Sequence, residues 1–101
     1  MSEEKAILVI NAIVNKENMA EVPVYLENIM PVFAKNGGKP VGRYKTVQQL
    51  EGIDSPEMIA IFEFESVDVI NTMINGADFT NLSDLRARVF DKLNMVICTE
   101  L

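Results

Sequence analysis

Ala6-Ile7-Leu8-Val9-Ile10-Asn11-Ala12-Ile13-Val14 and, later in the chain, Met58-Ile59-Ala60-Ile61-Phe62-Glu63-Phe64 decide the fold. Both runs are short, rich in Ile and Val, and bounded by polar residues, which favours strand over helix. Side chains alternate across a strand, so each run divides into two faces. The first gives Ala6, Leu8, Ile10, Ala12 and Val14 against Ile7, Val9, Asn11 and Ile13. The second gives Ala60, Phe62 and Phe64 against Ile59, Ile61, Glu63 and Glu65. Both faces of both runs are oily, as expected of central strands covered on two sides.

Working outward, the segment after the first run reads as a helix. Asn18 and Glu21 have capping-box spacing. Val22, Leu26, Ile29, Val32 and Phe33 recur at helical intervals, and Asn36-Gly37-Gly38 ends the pattern. Pro23 marks a later start, and Pro31 predicts a kink rather than a break. Lys39 to Val47 is a poorer strand, and Gly52 to Pro56 reads as a turn. Ser66 is a predicted N-cap for a stripe of Val67, Ile70, Met73 and Ile74. A further helix is expected from about Asp78 to Lys92, and a last strand over Met95 to Thr99.

The order β-α-β-β-α-β, with its second helix in two pieces, predicts an α+β ferredoxin-like sandwich. In it a four-stranded antiparallel sheet carries its helices on one face. Right-handed crossovers put the first and third strands in the middle. One sheet face then has no cover within the chain. A second copy is the simplest cover, so a homodimer through the sheet face is expected, burying about 800 Å² per partner.

Composition narrows the function. The 101 residues read as one domain, with 49% apolar and 24% charged residues, the balance of a globular protein. Nine basic residues lie scattered among fifteen acids for a net charge of −6, which argues against nucleic acid and anionic membrane as partners. No apolar run approaches the ~20 residues of a membrane span, and Met1-Ser2-Glu3-Glu4-Lys5 does not open a secretory signal. A single cysteine, Cys98, suits a reducing cytoplasm. With no histidine, the chain lacks imidazole bases, Ser–His or Cys–His nucleophiles and the ordinary zinc sites. Its six methionines read as core filler, Gly37-Gly38 follows a helix rather than opening one, and no calcium loop is present. No metal or cofactor is expected.

Several short pieces, in order, resemble one family. They are Tyr25, Pro31 and Lys35-Asn36-Gly37-Gly38; Arg43 and Leu50-Glu51-Gly52; Ile61-Phe62-Glu63-Phe64 with Ser66; and Leu85-Arg86. The chain is similar to the dimeric α+β-barrel proteins, and within them to a small bacterial family of uncharacterised function. The resemblance spans about Ile7 to Glu100. It implies a dimer whose two sheets form a barrel-like centre, with sites in a cleft between sheet and helices. The wider superfamily includes cofactor-free monooxygenases of polycyclic aromatics, muconolactone isomerases and haem-degrading enzymes, many using a histidine that this chain lacks. It departs from its closer family after Arg43, where Tyr44-Lys45-Thr46 replaces expected glycines.

Chemistry is expected where polar residues interrupt the oily faces. Asn11 and Glu63 share a face and are expected near one another, with Arg43 on the neighbouring strand in reach of Glu63. Glu63 is the candidate general base, and Asn11, Arg43, Glu63 and Tyr25 the candidate ligand-binding residues. The alternative is a structural Glu63–Arg43 ion pair with Asn11 serving the backbone. The Tyr25 hydroxyl is expected to reach solvent, Tyr44 to cover an edge strand, Glu51 to sit in a solvated turn, Arg86 to pair at the surface and Cys98 to be inert. Two readings survive. One is a cofactor-independent enzyme on a small apolar or aromatic metabolite. The other is a non-catalytic dimeric module binding a metabolite or a protein.

Overall fold

The computed structural model describes residues 4–53 and 55–101. The first three residues of the N-terminal stretch, and Asp54 within the Gly52–Pro56 turn, lie outside the described residues. β1 (Ala6–Val14) and β3 (Met58–Phe64) have the bounds that their apolar runs predict. β2 spans Lys39–Lys45 and β4 spans Phe90–Cys98. The sheet order is β2-β3-β1-β4, with all three pairings antiparallel. The two oiliest strands are therefore the central ones, and the ferredoxin-like α+β fold is confirmed.

Between β1 and β2 the chain departs from the expected capping box. A 3-10 turn over Lys16–Glu21 leads into α1 (Val22–Lys35). The cap is Asn15, whose side-chain oxygen accepts from the Glu17 N–H at 3.0 Å. Asn18 sits within the turn, and its amide donates to the Arg88 carbonyl at 2.9 Å, so it ties the turn to the last helix instead of opening α1. Pro23 occupies the first helical turn, where its missing N–H leaves no bond unmade. Pro31 lies within α1 on its exposed side, and the helix continues to Lys35.

After β3 come α2 (Val67–Ile74), α3 (Ala77–Thr80) and α4 (Ser83–Val89). Ser66 caps α2 as predicted, accepting from the Val69 N–H at 3.2 Å. The expected helix to Lys92 is too long, and the expected start of the last strand at Met95 is five residues late. Phe90 is already extended (φ −117°, ψ 130°) and pairs with Val14. Nine-residue β1 needs a partner of its own length to satisfy its backbone groups, and β4 supplies one from Phe90 to Cys98.

The core lies between the helices and one sheet face. Leu8, Phe64, Ile70 and Val89 are its largest fully buried side chains. The other face carries Ile7, Val9, Ile13, Ile59 and Ile61, all half-buried, beside Val96 at 46% exposure. No element of the described chain covers it. Beyond the edge strand, Val47, Leu50 and Ile53 are each at least 86% exposed.

Gly38 shows how tightly α1 closes onto the sheet. A Cβ there would lie 2.6 Å from the Phe64 ring and 2.9 Å from the Phe33 carbonyl oxygen. Gly38→Ala is expected to destabilise the fold by about 1–3 kcal/mol through overpacking, read from the shift in urea midpoint; an unchanged midpoint would show that the ring gives way freely.

Candidate functional site

On the helix side of the sheet, one row of side chains runs across all four strands. Arg43 on β2 faces Ala60 on β3, Ala60 faces Ile10 on β1, and Ile10 faces Met95 on β4. From β2 to β4 this row spans about 14 Å. Along β3 the small Ala60 stands between Met58 and Phe62, which leaves a dip in the floor. α1 passes above and closes the dip into a slot with Tyr25, Leu26, Ile29, Met30 and Phe33. The space left is about 50 Å³, room for a water or two. Three of its walls are methionines, Met30, Met58 and Met95, whose unbranched side chains adjust to an occupant. Arg43 and Tyr25 are the only ionisable side chains among the described lining residues.

Tyr25 does not reach solvent as the sequence predicts. Its side chain is buried, with the ring edge-on to Phe90 at 5.5 Å. Its hydroxyl oxygen accepts a hydrogen bond from Arg86 Nε at 3.1 Å. Arg86, expected at the surface, turns inward from α4. Its Nη2 donates to the Phe79 carbonyl at 2.9 Å, and its guanidinium lies 3.8 Å from the centroid of the Phe79 ring. Such a stacked, partly desolvated cation is held by about 1–2 kcal/mol. Burial raises the Tyr25 pKa above the ordinary phenol value of 10.0; the Arg86 hydrogen bond and its positive charge pull the other way. Tyr25 thus keeps its proton, and with Arg86 donating to the oxygen that proton has no acceptor among the described residues.

The expected cluster of Asn11, Glu63 and Arg43 does not form. Asn11 and Glu63 share the uncovered face, but Asn11 faces Ile59 and Glu63 faces Ile7, four residues along, about 13 Å apart. Glu63 instead pairs with Lys5 at 3.4 Å, a largely exposed contact of small energetic worth. Arg43 is on the opposite face altogether. A bulge at Val41, between Pro40 and Gly42, shifts the β2–β3 register by one residue, and a one-residue slip exchanges the faces. Without it Arg43 would face Ile59 on the Glu63 side; with it Arg43 enters the helix-side row. Asn11 lines a separate depression of about 140 Å³ on the uncovered face, with its register partner Asn94, Ile13 and Pro56. Tyr44 is exposed on β2 as expected. No three potential metal ligands cluster among the described residues.

Arg86 is the residue whose role the sequence hides. Its only signal is a position one turn after Leu82 and next to Leu85 on the inward side of α4, where a charged residue needs a partner.

Because burial favours the neutral phenol, Tyr25 stabilises the fold fully below pH 10, and that contribution is lost as pH rises through its folded value. In a titration followed by phenolate absorbance, one of the two tyrosines should ionise above the ordinary range. The Tyr25→Phe protein should lack that late step and lose less stability above pH 10 than the parent.

Solved structures share the fold over nearly the whole chain. A protein of unknown function from Rhodopseudomonas palustris is 19% identical with a TM-score of 0.81, covering 98% of this chain and 84% of its own. A dimeric protein of unknown function and ferredoxin-like fold from Bacteroides fragilis is 10% identical with a TM-score of 0.68, over 99% and 100% of the two chains. SnoaB, a cofactor-independent oxygenase from Streptomyces nogalater, is 12% identical with a TM-score of 0.70, over 97% and 94%. At these identities the likeness establishes the fold alone. No curated protein matches the chain. Residues 6–101 match the model of the domain of unknown function DUF1330, and the chain belongs to that family.

Proposed function

We propose that this protein is a cytoplasmic homodimer that acts without a cofactor on a small apolar or aromatic metabolite held in the slot above Ala60. The observation that carries this reading is that Tyr25, whose hydroxyl is backed by Arg86, lines an otherwise apolar slot. A substrate oxygen seated there would receive the free Tyr25 hydrogen and the field of the Arg86 charge. Both act on an oxygen that becomes anionic, and such preorganised donors stabilise developing charge. Among the described residues no carboxylate lines the slot to remove a proton, and the chain has no imidazole. The reading therefore points to substrates that ionise readily by themselves, such as phenols and 1,3-dicarbonyls. An enolate or phenolate of that kind is the common first species of cofactor-free oxygenation and of keto–enol isomerisation. The fold shared with SnoaB agrees with this reading.

The uncovered face supports the homodimer. Its band of Val96, Val9 and Ile61, and the exposed Val47, Leu50 and Ile53 in the segment after β2, are apolar side chains that a partner would cover. Second copies would bury these surfaces without touching the slot, which opens on the other side of the sheet. Val9→Asp or Ile61→Asp is expected to halve the mass in sedimentation velocity; a parent already monomeric at micromolar concentration would end the dimer reading.

The activity is tested with metal-free protein and a panel of naphthols and aromatic 1,3-dicarbonyls such as 1-phenyl-1,3-butanedione. Oxygen uptake and loss of the enol absorbance are followed together. Turnover is expected, lowered about 100-fold in Tyr25→Phe and abolished in Ala60→Leu, whose longer side chain fills the slot. Binding to the slot without turnover of any member would make the protein a non-catalytic metabolite-binding module.

A further inference from the structure

Two ionisable residues line the slot, and each has hydrogen-bonding capacity that no described residue uses. At the inner end stands Tyr25, whose buried side chain accepts from Arg86 at its hydroxyl and donates to nothing among the described residues. At the rim, Arg43 is exposed, and among the described residues no carboxylate pairs with it. A lone exposed arginine is ordinary. This one is brought to the helix side only by the bulge at Val41, which exchanges the faces of β2 from Gly42 onward. Bulges of this kind re-aim side chains beside functional sites. The chain between the two ends is apolar, and its floor is the low point at Ala60.

We infer that the ligand of this slot carries two oxygen functions: a carboxylate held at the rim by Arg43, and a carbonyl oxygen at the inner end that accepts from the Tyr25 hydroxyl. This rests on the slot being the binding site, as proposed above, and names the class of compound that fits it. The class is an aryl or alkyl keto acid with its two oxygen groups separated by an apolar segment; members whose ketone is part of a 1,3-dicarbonyl ionise readily enough for turnover, and simple ketones serve as binding probes. Arg86 is a positioning residue. By occupying a lone pair of the Tyr25 oxygen it fixes where the hydroxyl hydrogen points, and it is itself held by the Phe79 ring and carbonyl. The ring or alkyl body of the ligand is larger than the present space. Met30, Met58 and Met95 are the side chains that would yield to admit it.

The test is calorimetric titration of the intact protein with three compounds of one shape. These are 5-oxo-5-phenylpentanoate, 5-phenylpentanoate without the ketone, and valerophenone without the carboxylate. The keto acid should bind about fivefold more tightly than 5-phenylpentanoate, the worth of one hydrogen bond. It should bind about tenfold more tightly than valerophenone, the worth of a charge-assisted contact at a wet rim. Tyr25→Phe should erase the first ratio and keep the second; Arg43→Gln should do the reverse. Arg86→Met should reduce the first ratio and leave the second. Equal affinities for all three compounds would overturn the inference while leaving the slot reading standing, and so would ratios indifferent to the variants. Failure of all three to bind while 1-phenyl-1,3-butanedione does would overturn the inference alone; failure of that compound as well, or affinities unchanged in Ala60→Leu, would overturn the slot reading itself.

Discussion

The constraint on which the molecule depends is that β1 and β3 are apolar on both faces while the chain supplies helices for one. The antiparallel pairing of these strands, Ala6 opposite Phe64 through Ala12 opposite Met58, fixes which residues share a face. Slipping β3 by one residue against β1 would turn Phe62 and Phe64 out of the core and Ile61 and Glu63 into it. Burying Glu63 away from Lys5 would be costly, so the register that puts it outward is strongly preferred. From this pairing follow the central position of both strands, the helix-side row through Ala60 and Ile10, and the oily face left over.

That much was legible because strand periodicity is a local property and the two runs are nearly unbroken. The bounds of β1 and β3 follow from composition alone. Where the reading slipped, a long-range contact decided. Phe90 continues the helical spacing of Leu82, Leu85 and Val89, so the sequence extends the last helix to about Lys92; the free edge of β1 claims Phe90 to Lys92 as strand. Asn18 has the spacing of a cap, but Asn15 does the capping, and Asn18 is drawn to the end of α4, which is remote in sequence.

The site was less legible for a sharper reason. Residue counts put Asn11 and Glu63 on one face, and adjacency of the strands puts Arg43 in reach of Glu63; adjacency fails as a guide at a bulge. The extra residue at Val41 leaves no compositional mark, yet it moves Arg43 from the face of Glu63 to the face of Tyr25. The resemblance and the place of Tyr25 on α1 point to it, but its hydroxyl turns inward rather than to solvent. A phenol goes inward only where a partner waits, and the partner is Arg86, far along the chain on α4.

The two faces of the sheet therefore divide the work in a way that the helices impose. The uncovered face is oily and bordered by the Lys5–Glu63 pair. The covered face is close-packed except above Ala60, where one small side chain among Met58, Phe62 and Ile10 leaves a gap that larger residues would fill with gain in packing. Filling a void of about 50 Å³ with one or two methylenes would stabilise the fold by about 1 kcal/mol. A gap that small is no liability to the core. Placed between an arginine re-aimed by a bulge and a tyrosine held by a second arginine, it is the one spot in the described chain where an apolar interior meets two polar groups with capacity to spare. The polar-ended gap and the uncovered apolar face therefore lie on opposite sides of the same pair of strands.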